Sequence, residues 1–333
     1  MYPGNQMLAI LAALSATMAW SLTFIVPNVV GNASIFNFYA VEFLMLGLLS
    51  AGYLVLCRGA RRTLRPHDCW VAAGLGVLGF PAYCLAVTGA TICAGPVMAP
   101  AFVSLVPVAL AISGNLCERT VAWRRLGVPL SLATGGLVLV NWGDWSGPDA
   151  GDVPVAGIAL ALMAIALWVG FGLWNQRALA CRPSMDTQVW TALMLCGAGG
   201  GMLAFTPIGL SVGVLGIPGP GVPVPSATRL LAWAAVLGIL VNVWGGWAWN
   251  YSSKSLPVVL AAQLITMEPT FGTLLGLWVR RRWPTWSEGV GMALLLMGVV
   301  TAIQRFQRPR CAPCRPAQAP QPGDRDVRKL RLL

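Results

Sequence analysis

Long, uninterrupted runs of apolar residues recur from one end of the chain to the other. Each run is about 20 residues long, which lets a helix cross a hydrocarbon core about 30 Å thick. Because the runs are continuous rather than alternating, they predict membrane-spanning helices and not the strands of a barrel. The sequence therefore predicts an all-α polytopic membrane protein with ten transmembrane helices, at residues 7–27, 36–57, 70–90, 94–114, 122–142, 155–177, 187–208, 229–251, 257–279 and 286–305.

Composition supports this prediction and decides how the charge is interpreted. Hydrophobic residues make up 57% of the chain and charged residues only 10%, whereas soluble domains carry about a quarter charged residues. With ten spans, the face that carries both termini holds 18 of the 22 Lys and Arg residues. Positive residues gather on the cytoplasmic side of a membrane. The placement of the charge therefore predicts a protein of the bacterial plasma membrane (the inner membrane in a Gram-negative cell) with both termini in the cytoplasm. It explains the net charge of +11 without nucleic-acid binding.

Two parts of the chain match each other at a constant offset of 162 residues, without gaps. The segment "MAPAFVSLVPVAL" (98–110) aligns with "LAAQLITMEPTFG" (260–272), and this places Pro107 on Pro269. The match continues through two pairs of glycines in the following spans. Apolar helices resemble one another by composition alone, but ordered coincidences of Pro and Gly favour an internal duplication.

A second match, at an offset of 148, pairs "AALSATMAW" with "LALMAIALW" and so Trp20 with Trp168. Each half then holds five spans, and an odd number makes the two halves cross the membrane in opposite directions. This is the inverted-repeat plan of many secondary transporters, whose solute site lies near the midplane. We predict a first repeat at 1–153, a second at 154–305 and a disordered, basic cytoplasmic tail at 306–333.

Several segments together resemble one transporter family. They are "LAALSATMAWSL" and "LALMAIALWVGF", which open the halves, "VSLVPVALAISGNLCERTVAWRRLGVPLSLATGGLVLV", and "WAWNYSSKSLPVVLAAQLITMEPTFGTLLGLWV". Over about residues 7–304 the chain is similar to the drug/metabolite transporter superfamily, in particular its EamA-type exporters. The resemblance implies ten helices in two inverted halves and the transport, often the export, of small organic solutes.

The chain departs from that family pattern in two places. The family commonly has Arg within its second helix, where this chain has Glu42, and we expect Glu42 to reach a partner at the outer headgroup level. The family also repeats, in its second half, the acid that ends the fourth helix. Glu118 instead aligns with Arg280, the first of three consecutive arginines. The role of Arg280, Arg281 and Arg282 stays open.

Glu268 is the main candidate for solute binding or coupling. A charged group at the bilayer centre costs at least ~2.5 kcal/mol, so it is expected to face protein or a water-filled cavity. There it could carry a proton or bind an ammonium group. Pro269 has no N–H and frees a carbonyl near Ile265, so Pro269, like Pro107, is predicted to break its helix. The alternative is a protonated carboxyl that bonds a neighbouring helix and holds the kink.

Aromatic and amide side chains cluster on the helices that should meet centrally. Three residues, Asn242, Gly245 and Trp249, fall on one helical face at spacings of three and four. Such a face offers stacking and cation–π contacts beside a hydrogen-bonding amide. The alternative is that these side chains pack the core or form interfacial belts. The further candidates for solute binding or coupling are Trp20, Tyr83, Trp168, Asn242, Trp249 and Asn250.

The sequence argues against an enzyme, a cofactor or a metal site. His67 is the only histidine, which excludes a multi-histidine site and disfavours a buried Ser-His-Asp arrangement. Cys311 and Cys314 form a CxxC in the tail without a second pair to complete a zinc site. No Gly-Lys-Ser/Thr follows the Gly-rich "CGAGGG" or the Pro-rich "PVMAP", which we interpret as close helix packing and a helix break.

Two functions follow from these observations. The first is a secondary exporter of a small amphipathic solute, such as an aromatic amino acid, a related metabolite or a lipophilic cation, working by alternating access and coupled to protons through Glu268. The second is a non-transporting scaffold or subunit that uses the helix bundle and the basic tail for protein and lipid contacts. The sequence leaves the solute, the direction of transport and the oligomeric state open.

Overall fold

The computed structural model describes residues 3–26, 34–57, 64–119, 121–142, 155–213, 215–216 and 224–307. Every regular element among these residues is a helix. The predicted tail lies outside the described residues from 308 onwards, and so do Cys311 and Cys314. Residues 306 and 307, predicted as the start of the tail, belong to the last helix, which ends at Gln307 rather than at 305.

The described chain forms thirteen α-helices. Those of the N-terminal half are α1 (Pro3–Ser21), α2 (Ile35–Leu56), α3 (Pro66–Val77), α4 (Tyr83–Val103), α5 (Val106–Glu118) and α6 (Trp123–Val140). Those of the C-terminal half are α7 (Val155–Ala180), α8 (Thr187–Ser211), α9 (Val224–Leu237), α10 (Gly245–Ser253), α11 (Val258–Ile265), α12 (Met267–Arg280) and α13 (Trp286–Gln307).

Eight helical stretches of the described chain are long and apolar enough to cross a membrane. They coincide with eight of the ten predicted spans and are Gln6–Phe24, Ile35–Leu56, Pro66–Cys93, Val155–Ala180, Thr187–Ser211, Ala227–Ser253, Val258–Val279 and Trp286–Arg305. The two predicted spans outside this set are 94–114 and 122–142. The segment predicted at 122–142 forms α6, but this helix begins with Trp-Arg-Arg, so its apolar part is shorter than the predicted span.

The predicted fourth span differs most from the structure. A break was expected in "PVMAP", within residues 94–100, yet α4 continues through this segment to Val103. The chain turns at Ser104–Leu105 instead, and α5 follows with only 13 residues. Pro107 lies in the first turn of α5, where the missing N–H would have had no helical partner. The turn therefore comes just before this proline.

Three local features of the backbone recur 162 residues apart. A π-helical segment, Leu78–Ala82, joins α3 to α4, and a second, Gly238–Trp244, joins α9 to α10 and contains the positions 162 residues later. The turn at Ser104–Leu105 corresponds to the break at Thr266 between α11 and α12. These repeated irregularities fall at the same offset as the sequence match.

The ends of α5 and α12 supply the third recurrence. Arg119 and Arg281 follow these helices with φ 49° each, in the left-handed conformation. In the described part of the chain, they are the only non-glycine residues with positive φ. Such a conformation closes a helix C-terminus but is unusual for a residue with a Cβ.

Small residues let the helices of the core touch backbone to backbone. Where α2 crosses α8, a Cβ added to Gly199 would lie 2.7 Å from the Cα of Gly47. Gly197, two residues earlier in "CGAGGG", approaches the backbone of Ala73 on α3 in the same way. The glycines of α8 therefore serve close helix packing, which places α2 and α3 along the same helix.

Candidate solute site

Four of the aromatic side chains singled out from the sequence pack against one another inside the bundle. The ring centroids of Trp20 and Trp168 are 5.2 Å apart, and those of Trp20 and Trp249 are 5.5 Å apart. The ring of Tyr83 lies 4.7 Å from that of Trp168. These residues come from α1, α4, α7 and α10, so one continuous surface is built from both halves of the chain. We call these four residues the aromatic cluster.

A glycine and a π-helical segment bring α10 against the aromatic cluster. A Cβ at Gly245 would lie 2.7 Å from Nε1 of Trp20, so only a residue without a side chain allows this contact. The π-helical segment ends one residue before Gly245, and such segments are often found at functional sites. Trp249 lies one turn further along α10, with 3% of its surface exposed.

A second row of rings extends from the aromatic cluster and was missed from the sequence. Phe171 lies 5.3 Å from Trp168, Phe80 lies 6.2 Å from Phe171, and Phe43 lies 6.4 Å from Phe80, all between ring centroids. Gly79 makes room for this row, because a Cβ there would lie 2.5 Å from the ring of Phe171. A phenylalanine in an apolar run carries no signal of its own, and only the fold reveals the row.

Glu268 lies in the first turn of α12, where the chain restarts a helix after the break at Thr266. The residue is partly buried, and no residue of the described chain donates a hydrogen bond to its carboxyl group. It is within electrostatic range of Tyr83, a member of the aromatic cluster. The N-terminal end of a helix carries a partial positive charge that favours a carboxylate. An acid that accepts no hydrogen bond from the described residues therefore lies within electrostatic range of one member of the aromatic cluster.

The two prolines predicted to break helices lie close to the two helix breaks. Pro107 follows the turn at Ser104–Leu105 by two residues, and Pro269 is the third residue of α12, after the break at Thr266. The hydroxyl of Thr266 donates to the carbonyl of Gln263 at 2.6 Å, which occupies one carbonyl at the end of α11. The break thus leaves Glu268 and Pro269 at the start of a new helix.

Glu42 lies inside the helix bundle. The prediction that it reaches a partner at the outer headgroup level, made from its place early in the second span, is wrong. Glu42 is 2% exposed, and its Oε1 accepts a hydrogen bond of 2.9 Å from Nδ2 of Asn242. Gly238 permits this depth, because a Cβ there would lie 3.3 Å from Cγ of Glu42. Asn242, predicted on one face with Gly245 and Trp249, thus binds an acid of the first half. The rotation of α2 that buries Glu42 is set by packing and not by sequence position.

Asn250, also predicted at the site, is held by other protein groups. Its Oδ1 accepts from Nδ2 of Asn175 at 2.8 Å, and its Nδ2 donates to Oγ1 of Thr191 at 3.0 Å. Oδ1 of Asn175 in turn accepts from Nε1 of Trp190 at 2.9 Å. This buried network joins α7, α8 and α10, and it occupies both ends of the Asn250 amide.

Several buried polar atoms near the site lack a hydrogen-bond partner. In the described chain these are Nε1 of Trp249, Oε1 of Gln176, both side-chain polar atoms of Gln263 and Oγ1 of Thr270. Buried polar groups are normally paired, so each such atom needs an explanation. Gln176 and Gln263 are polar residues inside apolar runs, a signal that was present in the sequence and not used.

The arginine triplet has a structural role that the sequence did not indicate. Arg282 makes a bidentate ion pair with Glu288, at 2.8 Å and 2.6 Å. Glu288 also accepts from the backbone N–H of Thr285 at 2.8 Å, and the Thr285 hydroxyl lies 3.4 Å from the N–H of Glu288. This reciprocal arrangement caps the start of α13. Arg282 therefore ties the end of α12 to the next helix.

Comparisons with known proteins give one relative and a shared fold. No protein-family model matches the chain. The inner membrane protein YtfF of Escherichia coli (strain K12) is 28% identical over 308 residues, which cover 89% of this chain and 94% of that protein. A solved crystal structure superposes with a TM-score of 0.70 at 20% identity, covering 90% of this chain and 98% of that one. That likeness shows the fold alone. Together with the eight long apolar helices, these findings identify a polytopic membrane protein.

Proposed function

We propose that the protein is a secondary exporter of a small amphipathic organic solute, working by alternating access in an inner membrane. The observation that carries the proposal is an aromatic cluster drawn from both halves of the chain. Glu268, an acid without a hydrogen-bond donor among the described residues, lies within electrostatic range of Tyr83 in that cluster. An apolar surface with a few placed polar groups is typical of small-molecule sites. The solute is an aromatic amino acid, a related metabolite or a lipophilic cation.

Alternating access rests on the proposed division into two inverted five-helix repeats, at 1–153 and 154–305. Its support is the recurrence, 162 residues apart, of π-helical segments, helix breaks and left-handed arginine caps. These features also agree with the resemblance to EamA-type exporters of the drug/metabolite transporter superfamily. In this arrangement the broken helices α4–α5 and α11–α12 are equivalent, and rocking of one repeat against the other exposes the site to each side in turn.

Glu268 is the proposed coupling residue, and it acts by exchanging a proton for the solute. No cationic side chain of the described residues pairs with its carboxyl group, so binding a proton or a cationic solute compensates its charge in the bundle. Glu42 differs, because Asn242 already donates to it. The proposed partners are therefore protons, an organic solute and membrane lipids, and the protein performs no chemical reaction.

The test is transport into proteoliposomes with an imposed pH gradient. A panel of aromatic amino acids, their amines and lipophilic cations is supplied to the wild type, to Glu268→Gln and to Glu288→Gln as a control acid at the end of the bundle. We expect Glu268→Gln to abolish the dependence of flux on the pH gradient and Glu288→Gln to keep it. Equal proton-coupled flux in wild type and Glu268→Gln contradicts the coupling role. No flux for the whole panel supports the non-transporting scaffold instead.

A further inference from the structure

Two residues that each carry an unpaired buried atom line the same narrow gap at one side of the aromatic cluster. The gap lies between α5, α7, α10 and α11, and in this conformation it is too narrow to admit a water molecule. Gln176 and Trp249 line it together with mainly apolar side chains such as Leu110 and Val258. Oε1 of Gln176 can only accept and Nε1 of Trp249 can only donate a hydrogen bond. Neither atom has a partner.

The pair is unusual because each atom could satisfy the other, yet they do not meet. Leaving a buried donor or acceptor unpaired is unfavourable, and here both unpaired atoms belong to residues that line one gap. The other end of the Gln176 amide is fixed, since its Nε2 donates to the carbonyl of Leu256 at 2.6 Å. This bond leaves Oε1 as the free end of the amide. A third group that both accepts and donates would satisfy the two atoms together.

The position of the gap relative to Glu268 defines the kind of group. Along the aromatic cluster the order is Trp249, Trp20, Trp168 and Tyr83, with Glu268 near the last of these. Trp249, the first member, lines the gap, and the acid is within electrostatic range of Tyr83, the last. A solute that contacts both ends has a cationic group at one end, an aromatic body and a polar group at the other.

We propose that the gap, widened as the surrounding helices separate, binds a hydroxyl group at the end of the solute remote from its ammonium group. The hydroxyl accepts from Nε1 of Trp249 and donates to Oε1 of Gln176. The solute class is then an aromatic amine with a distal hydroxyl. This inference rests on the proposed transport of an amphipathic solute and adds the identity of its second polar group.

Three probes that differ only at the distal position test this, with binding to the purified protein measured by calorimetry. They are tyramine, which has the hydroxyl, 4-methoxyphenethylamine, which can only accept, and phenethylamine, which has neither. From the usual net value of a hydrogen bond we expect tyramine to bind about fivefold more tightly than phenethylamine. The methoxy compound is expected to fall between them.

Two pairs of variants assign the preference to the gap. Trp249→Phe keeps a ring but removes the donor, and we expect it to lose the preference for tyramine. Trp20→Phe makes the same change elsewhere in the aromatic cluster, and it should weaken all three probes while keeping their ratio. Gln176→Leu should lose the preference, whereas Gln176→Glu keeps an acceptor and should retain it. The melting temperature without ligand checks that each variant folds.

The outcomes separate this inference from the function on which it rests. Equal binding of the three amines to the wild type, or an unchanged ratio in both Trp249→Phe and Gln176→Leu, overturns the hydroxyl site. The transport proposal survives that result. Failure of all three amines to bind overturns the cationic-solute site itself, and this inference with it.

Discussion

At the scale of single residues, Glu42 and Glu268 have different surroundings. Glu42 is enclosed, and one amide donor, from Asn242, reaches it. Glu268 stands at the start of a helix with no donor in the described chain. Glu42 therefore belongs to the packing between the two halves of the chain, whereas the proposed function assigns the solute to Glu268.

The first prediction concerns the bond between Glu42 and Asn242. Glu42→Leu leaves the amide of Asn242 buried without an acceptor, and we expect it to lower the free energy of unfolding by about 1–3 kcal/mol. Glu42→Gln keeps a carbonyl acceptor and should stay close to the wild type. The double change Glu42→Leu with Asn242→Leu should recover part of the loss. Thermal unfolding in detergent measures this, and an additive double variant would show that the two side chains do not interact.

At the scale of helices, the sequence predicted well what depends on local composition. Eight of the ten predicted spans match long apolar helices. Whether a segment is long and apolar enough to cross a membrane depends on that segment alone. The break between α4 and α5 was misplaced because a proline only removes one N–H, and where the helix gives way depends on its neighbours. The π-helical segments and the gap beside Gln176 depend on packing between distant helices, and no local pattern indicates them.

A second prediction tests the crossing of α2 and α8. Gly199→Ala places a Cβ 2.7 Å from the Cα of Gly47, so the helices must separate, and we expect a loss of about 1–3 kcal/mol. The neighbouring Gly200→Ala is the matched control, because a Cβ there meets nothing within 4 Å. Alanine favours a helix over glycine, so this control should unfold at the same or a higher temperature. Equal losses in both variants would contradict the backbone contact.

At the scale of the whole molecule, the proposed inverted repeats imply that equivalent features face opposite sides of the membrane. The left-handed caps Arg119 and Arg281 are such a pair. Both side chains are exposed. In the proposed ten-span topology, Arg119 falls on the face that also carries most of the basic residues, and Arg281 falls on the other. From the charge bias we expect the first of these faces to be cytoplasmic.

The third prediction belongs to this scale and uses these two arginines as markers. In a variant without the native cysteines, Arg119→Cys and Arg281→Cys are labelled with a membrane-impermeant maleimide in spheroplasts and in inverted vesicles. We expect Arg281→Cys to react in spheroplasts and Arg119→Cys only in inverted vesicles. Labelling of both positions from the same side would reject the inverted arrangement, even if the protein transports a solute.

The close packing of Trp20, Trp168 and Trp249, with successive centroids 5.2 Å and 5.5 Å apart, also has an optical consequence. The electronic transitions of indole rings at such separations couple, and the coupling depends steeply on distance and angle. These three rings should therefore dominate the near-ultraviolet circular dichroism of the protein, although the chain has 15 tryptophans. Any rearrangement around the bound solute would then change a spectrum that the protein produces without a label.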